Sequence, residues 1–425
     1  MRVLLINPPI YDFAVYDFWM KPLGLLYLSS MLKEKGHKVC LLDTVNRFDP
    51  YFKNLKSDAF GRGKIKFQKV KKPEILKNIP GNFKRYGLPS LLIKKRIKDF
   101  EPEVIMLGCS MTYWYPGLIE IKEIIKELRV NCVLLLGGIY ASILPEHARG
   151  IGFNIIYSQK EKYIKELNIT IPEHFKNFPP PDYSHYSNTG YACLCTSLGC
   201  PFDCPYCASS FLCANKADKE EDQIVEEISH LYKKGINRIA FYDDALLIPQ
   251  KRFISLCEKI AAKKMDVFFF TPNGLHSRFI SKDVAKMMFQ AGFKEPRISL
   301  ETSDENIQRK FYMKTTNNEF RETVENLKRA GYKSKDIFAY LLAGMPGMSF
   351  RSVEKSILYV EKIGVKISLA EFSPIPGTKM EENLPDPLFT NNTVYYHYKK
   401  KAEEMARVKK LAKEANRKID SDNLS

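Results

Sequence analysis

Twice along this chain, short apolar runs of strand length alternate with amphipathic helical segments, and a proline-rich stretch separates the two series. In the first, apolar runs at 3–7, 38–43, 104–108 and 132–138 are interleaved with helical patterns at 23–35 and 118–128. Strands alternating with helices predict crossover units and a parallel sheet covered on both faces. Residues 1–165 are therefore expected to form a doubly wound, Rossmann-like α/β domain, with a crevice at the carboxyl ends of its strands. The second series runs from 191 to 372, with strands at 191–196, 238–242, 267–271, 297–301, 337–342 and 366–372. Between them lie helical patterns at 222–234, 251–264, 282–291, 317–330 and 350–363. Six strands, each but the last followed by a helix, predict a partial (β/α)6 barrel over 191–380 with its chemistry at the strands' carboxyl ends.

Three segments fall outside this alternation. Residues 46–98 form a basic, aromatic-rich insertion containing Phe60-Gly61-Arg62-Gly63-Lys64 and Phe83-Lys84-Arg85-Tyr86-Gly87. A connection of that length is usually functional or disordered, and an ordered lid or interdomain strap is the favoured reading. Residues 166–190 carry Pro172, Pro179, Pro180 and Pro181, which oppose regular helix and read as an extended linker. Residues 381–425 are charged and helical in pattern over 399–417, an amphipathic tail expected to pack on the barrel and fray before Ser425.

A length of 425 residues suits two domains, and 45% apolar with 12% aromatic residues can fill real cores. The formal net charge of +17 is compatible with a nucleic-acid or other anionic partner, but lysines in segments such as Lys122-Glu123-Ile124-Ile125-Lys126 belong to solvated helix faces, the favoured reading. No run approaches the roughly 18 uninterrupted apolar residues of a membrane span. The opening Met1-Arg2-Val3-Leu4-Leu5-Ile6-Asn7-Pro8-Pro9 reads as a buried first strand rather than a signal peptide, so a cytoplasmic location is expected.

Ten cysteines in such a chain argue for reduced thiols with metal or catalytic use. Cys40, Cys109 and Cys132 sit in apolar runs, Cys257 lies in a helical pattern, and Cys193, Cys195 and Cys213 lack regular ligand spacing. Cys200, Cys204 and Cys207 differ: they are spaced x3 and x2 in Gly199-Cys200-Pro201-Phe202-Asp203-Cys204-Pro205-Tyr206-Cys207, just after the first barrel strand. A zinc site wants a fourth ligand, and ferredoxin-type sites supply four cysteines. Three thiolates satisfy three irons of a cubane [4Fe–4S] cluster and leave the fourth open to the amino and carboxylate groups of a methionine moiety. A zinc knuckle or an electron-transfer cluster is the rival reading.

This motif, C-x3-C-x-aromatic-C after a first barrel strand, resembles the radical S-adenosylmethionine (SAM) superfamily. The resemblance implies a [4Fe–4S] cluster on Cys200, Cys204 and Cys207, reductive cleavage of SAM, and an electron donor such as a flavodoxin, ferredoxin or reductase. It places Tyr206 beside the adenine, Asp243 in Phe241-Tyr242-Asp243-Asp244 near the SAM amino group, and Ser299 and Glu301 near the ribose or carboxylate. It also brings backbone at Gly344 in Leu342-Ala343-Gly344-Met345-Pro346-Gly347 towards the adenine. Independently, an acid at a strand's carboxyl end is costly to bury unpaired, so Asp243 and Glu301 meet either a ligand or a structural cation. Asn273 and His276, in Thr271-Pro272-Asn273-Gly274-Leu275-His276, end the third strand, Asn273 as a further SAM contact and His276 as a substrate contact, a proton carrier or a hydrogen-bonded structural histidine.

The first domain resembles the cobalamin-binding domain that precedes many radical SAM barrels, through Val3–Pro9, Pro22-Leu23-Gly24-Leu25, Gly36-His37-Lys38-Val39 and Leu136-Gly137-Gly138. The resemblance assigns Ser110, Thr112, Gly137 and Gly138 to cobalamin. Two departures stand out: the D-x-H-x-x-G loop that supplies a histidine to cobalt is missing, and Ile155–Glu161 lacks the usual Gly-Glu-rich turn. Cobalamin-dependent methyl transfer to an unactivated carbon is the leading expectation, on a small-molecule or peptide substrate. The alternatives are a radical SAM enzyme whose first domain binds substrate, RNA included, and a non-enzymatic iron–sulfur electron carrier.

Overall fold

The computed structural model describes residues 1–53, 55–158, 161–213, 215–310 and 315–422. The chain divides into two compact units, 1–193 with 383–394, and 194–382 with 395–425.

In the first unit, β1 (Arg2–Asn7), β2 (Lys38–Asp43), β3 (Val104–Gly108), β4 (Val133–Gly137) and β5 (Ile155–Ile156) form a sheet ordered β5-β4-β3-β1-β2. Every described pairing in it is parallel. Its strands bury both faces, as apolar runs such as Val3-Leu4-Leu5-Ile6 require. Helices α1 (Leu23–Glu34), α2 (Ser90–Phe100) and α3 (Tyr115–Leu128) provide the crossovers. The insertion belongs to this unit: Lys84–Tyr86 pairs with both Ile10–Asp12 and Phe67–Lys69, and Phe52, Leu76, Ile79 and Phe83 join the core. α2 falls partly inside the segment expected to be a bare insertion.

Two further expectations change. The proline-rich stretch is no free linker: Ser29 Oγ donates to Asp182 (2.7 Å), Tyr183 donates to Cys193 O (2.8 Å), and Tyr27 packs edge-on to Phe175 and Phe178. Prolines exclude helix but leave carbonyls and neighbouring aromatic rings free to dock. The tail divides: Leu388, Phe389 and Val394 enter the core of the first unit, whereas α9 (Ala402–Asp422) belongs to the second. The expected Gly-Glu-turn position at Gln159 and Lys160, and the fraying end at Ser425, lie outside the described residues.

β6 (Ala192–Leu194) crosses the sequence boundary between the units, and the second unit goes on through α4 (Glu221–Lys233), β7 (Arg238–Phe241), α5 (Gln250–Ala262), β8 (Phe268–Phe270), β9 (Leu275–His276), α6 (Lys282–Ala291), β10 (Arg297–Glu301), α7 (Asn317–Ala330), β11 (Phe338–Ala343), α8 (Phe350–Ile363) and β12 (Lys366–Glu371). The ladders run β6-β7-β8 and β9-β10-β11-β12. β9 is an addition to the six expected strands. Pro272 lacks an amide and Gly274 takes φ +81°, so the chain turns after β8 and re-enters the sheet at Leu275. Phe269 meets Phe293 in a single parallel bridge, while β10 pairs with β9. The helices α6, α7 and α8 each start at Ser281, Thr316 or Ser349, whose side chain accepts from a first-turn amide, and stop at a glycine.

Candidate active site

The cysteine loop leaves β6 and is closed at its base. Ser197–Leu198 pairs antiparallel with Ala217–Asp218, so the residues between them form one excursion. Gly199, at φ +75°, lies where an added Cβ would stand 2.7 Å from Asn215 O and 2.9 Å from Cys213 O; the two limbs approach too closely for any side chain. Cys200 is buried, and Cys204 and Cys207 are half-buried. The Cys207 amide donates to Cys204 O (3.0 Å), and Ser209 Oγ lies 3.2 Å from Cys207 Sγ. No disulfide joins the ten cysteines. Among the described residues no three His, Cys, Asp or Glu side chains converge on a single ion. Three cysteine thiols on one short loop are the donor set that three separate irons of a cubane take.

The expected ligand-facing groups fall into two classes. Tyr206 and Glu301 remain with the loop. The Tyr206 hydroxyl is buried with no hydrogen-bond partner among the described residues. Burial first, and then the Glu301 carboxylate and the Cys204 and Cys207 thiols, push its phenol far above the usual range. An orphaned buried hydroxyl beside a carboxylate fits a ligand that brings its own donors and acceptors. Glu301 is half-buried at φ +64°, at a register shift that pairs Ser299 with Tyr340 and Glu301 with Leu341. A bulge with a non-glycine residue in the left-handed region re-aims a side chain at a cost of about 1–3 kcal/mol.

Asp243, Ser299, Asn273 and Gly344 are engaged by the protein itself. Asp243 Oδ1 accepts from the Thr196 amide (3.1 Å) and hydroxyl (2.6 Å) and from the Ser197 amide and hydroxyl (both 2.7 Å). Burial raises its carboxyl above the ordinary value against the pull of these bonds. Ser299 Oγ donates to Leu275 O (3.1 Å), and Asn273 Nδ2 donates to Tyr242 O (2.8 Å). At Gly344, φ +80°, an added Cβ would stand 2.3 Å from the Tyr396 hydroxyl, which donates to Ala343 O and Phe372 O (both 3.0 Å). The glycine expected to admit adenine makes room for a tyrosine of the chain's own tail. His276 is buried and stacks on Phe202 of the cysteine loop, ring centroids 4.6 Å apart.

Sequence reasoning missed Arg252. Its Nη2 donates to Thr196 O (2.8 Å) and Lys219 O (2.7 Å), the two ends of the loop. It also missed Lys219 and Glu227, an ion pair with side chains 0% and 2% exposed. One arginine on an amphipathic helix gives no signal in a basic chain; a lysine and a glutamate eight apart give little more.

In the first unit, Ser110 is exposed after β3, Gly137 ends β4, and Gly138 at φ +89° follows it as the last residue before a short helix. Ser110 and Gly138 are the small residues that the approach of a bulky cofactor requires, whereas Gly137 is buried, with an added Cβ 2.6 Å from Met106 Cε. Thr112 does not fit that role, because its buried hydroxyl shares a 2.8 Å hydrogen bond with Thr390. Nearby, Tyr115 donates to Asp386 (3.1 Å), and His147 Nδ1 lies 2.6 Å from the Tyr140 hydroxyl. Burial lowers the His147 pKa, which keeps its ring neutral.

Residues 194–360 match the Radical SAM superfamily model. An uncharacterized methyltransferase of Pyrococcus horikoshii is 24% identical over 90% of this chain and 83% of its own length. Cytidylyl-2-hydroxyethylphosphonate methyltransferase of Streptomyces wedmorensis is 21% identical over 89% and 80%. Among solved structures, the radical SAM methyltransferase TsrM of Kitasatospora setae, determined with cobalamin and a [4Fe-4S] cluster bound, superposes with a TM-score of 0.63 at 15% identity, covering 89% of this chain and 76% of that one. The fold therefore extends the likeness well beyond the matched barrel.

Proposed function

We propose that this chain, a radical SAM enzyme, uses cobalamin held by its first unit to transfer a methyl group to an unactivated carbon. The observation that carries the reading is the preorganised cysteine loop within residues matching the Radical SAM superfamily, in a chain whose fold follows that of a methyltransferase over 89% of its length. When bound, the cluster supplies an electron to the sulfonium of SAM, and cobalamin supplies a methyl group.

The residues have separate duties. Cys200, Cys204 and Cys207 hold the cluster, and Tyr206 lines the SAM site with its unpartnered hydroxyl. Glu301, re-aimed by its bulge, accepts a hydrogen bond from a ribose hydroxyl or the SAM amine. Asp243 acts one step away, holding Thr196 and Ser197 where the loop begins. Ser110 and Gly138 receive cobalamin, while Thr112 fastens the segment around Thr390. With no D-x-H-x-x-G loop, this chain would bring no histidine from that loop to a bound cobalamin. A flavodoxin or ferredoxin in the cytoplasm serves as electron donor, and the substrate is a small molecule or peptide. No helix among the described residues is long and apolar enough to cross a membrane.

Anaerobic reconstitution tests the first half: about four irons per chain and reductive SAM cleavage are expected. Equilibrium dialysis of folded protein against hydroxocobalamin tests the second. Absence of binding would end the methyl-transfer reading and leave the first unit as a substrate domain.

A further inference from the structure

The cysteine loop needs its two ends held a fixed distance apart, and its base carries more buried charge than a strand terminus requires. Thr196 O, at the start, accepts from both Arg252 Nη2 (2.8 Å) and the Lys219 amide (3.0 Å). Lys219 O, at the end, accepts from the same Arg252 nitrogen (2.7 Å). One guanidinium thus bridges two carbonyls on opposite limbs of the excursion, and its Nη1 reaches Asp218 at 3.7 Å. Asp243 grips the starting limb through Thr196 and Ser197, and the Lys219–Glu227 pair anchors the finishing limb to α4.

Desolvating these charges is expensive, and a buried ion pair is often no more stabilising than apolar residues of similar volume. Stability alone is therefore a weak account of the arrangement. Position is a better one: partners that hold ligand-bearing segments commonly matter ten- to a hundredfold for metal affinity.

We propose that Arg252 is a positioning residue which, with Asp243 and the Lys219–Glu227 pair, clamps both limbs of the cysteine loop so that the three thiols keep the spacing a cluster demands. The proposal rests on the cluster assignment above. Its planar guanidinium suits the task, because Nη2 meets both carbonyls while Nη1, held in the same plane, reaches the Thr196 hydroxyl (3.3 Å) and Asp218; a lysine has no second nitrogen to do so.

The test uses the full chain, reconstituted anaerobically, as wild type, Arg252→Met and Arg252→Lys. Iron release to a ferrous chelator is followed alongside far-ultraviolet circular dichroism, and the dithionite-reduced cluster is recorded by EPR with and without SAM. Folded Arg252→Met should release iron roughly ten- to a hundredfold faster than wild type. Its EPR signal should broaden, and Arg252→Lys should fall between the two. Release within twofold of wild type from folded Arg252→Met overturns the clamp, as does release that only tracks the unfolded fraction. If Arg252→Met does not fold, a folded Arg252→Lys that holds iron as wild type does overturns it equally. A wild-type chain that takes up no iron removes the cluster assignment, and the clamp with it.

Discussion

The cysteine loop of the second unit and the ends of β3 and β4 in the first are fastened in different ways. In the second, an excursion carrying three thiols is held at its base by Asp243, Arg252 and the Lys219–Glu227 pair, all buried or nearly so. Around the ends of β3 and β4 in the first, single bonds do the fastening: Thr112 meets Thr390 and Tyr115 donates to Asp386, with small residues at Ser110 and Gly138, while the buried Asp43 ends β2 with Asn7 and Tyr186 donating to it. Under the proposed function, the difference follows from what each would hold. Three separate ligands require a rigid span, and charge-assisted bonds are about twice as strong as neutral ones. A large organic cofactor requires room and backbone donors, which small side chains provide.

The largest expected effect breaks the comparison at its centre. Cys204→Ala should lose the cluster and all SAM cleavage, whereas Cys193→Ala and Cys195→Ala should still reconstitute with about four irons; cleavage retained by the Cys204 variant would remove the assignment. Next comes Glu301→Gln, which keeps the shape and removes the charge. SAM affinity should fall about tenfold to a hundredfold, as the loss of a charge-assisted bond of roughly 1.5–3 kcal/mol implies. A melting temperature that drops while SAM affinity holds would place Glu301 in the scaffold.

Gly344→Ala sharpens the division between ligand-facing and structural residues. A side chain at φ +80° beside the Tyr396 ring should destabilise the second unit by about 1–3 kcal/mol while the folded fraction binds SAM as before; calorimetry and SAM titration on one preparation measure both. The smallest effect lies in the first unit. Thr112→Val should cost about 1 kcal/mol and Thr390→Val more, since Thr390 also donates to Pro387 O (2.8 Å), and the double variant less than their sum, because both remove the Thr112–Thr390 bond. Cobalamin binding reduced by Thr112→Val but not by Thr390→Val would return Thr112 to the cofactor site.

How far the chain could be read shows in these same residues. α6, α7 and α8 stand at their expected bounds because a capping Ser or Thr and a terminal glycine mark both ends locally. β9 was missed because two residues after a Pro-Asn-Gly turn carry no periodicity. Asp243 read as an acid at a strand end, but its partners lie 47 and 46 positions earlier. Gly344 read as a close approach to ligand, and only the return of Tyr396 shows what approaches it.

By itself the sequence determined the strand–helix alternation, the radical SAM cysteine motif and the Rossmann-like and barrel classes, because each is written in spacing along the chain. The tertiary structure alone decided which polar groups face one another: Arg252 across two carbonyls, Thr112 against Thr390, Tyr396 over Gly344, and residues 383–394 in the first unit. A buried donor must be satisfied by whatever acceptor the fold brings to it, and chain separation places no limit on where that acceptor comes from.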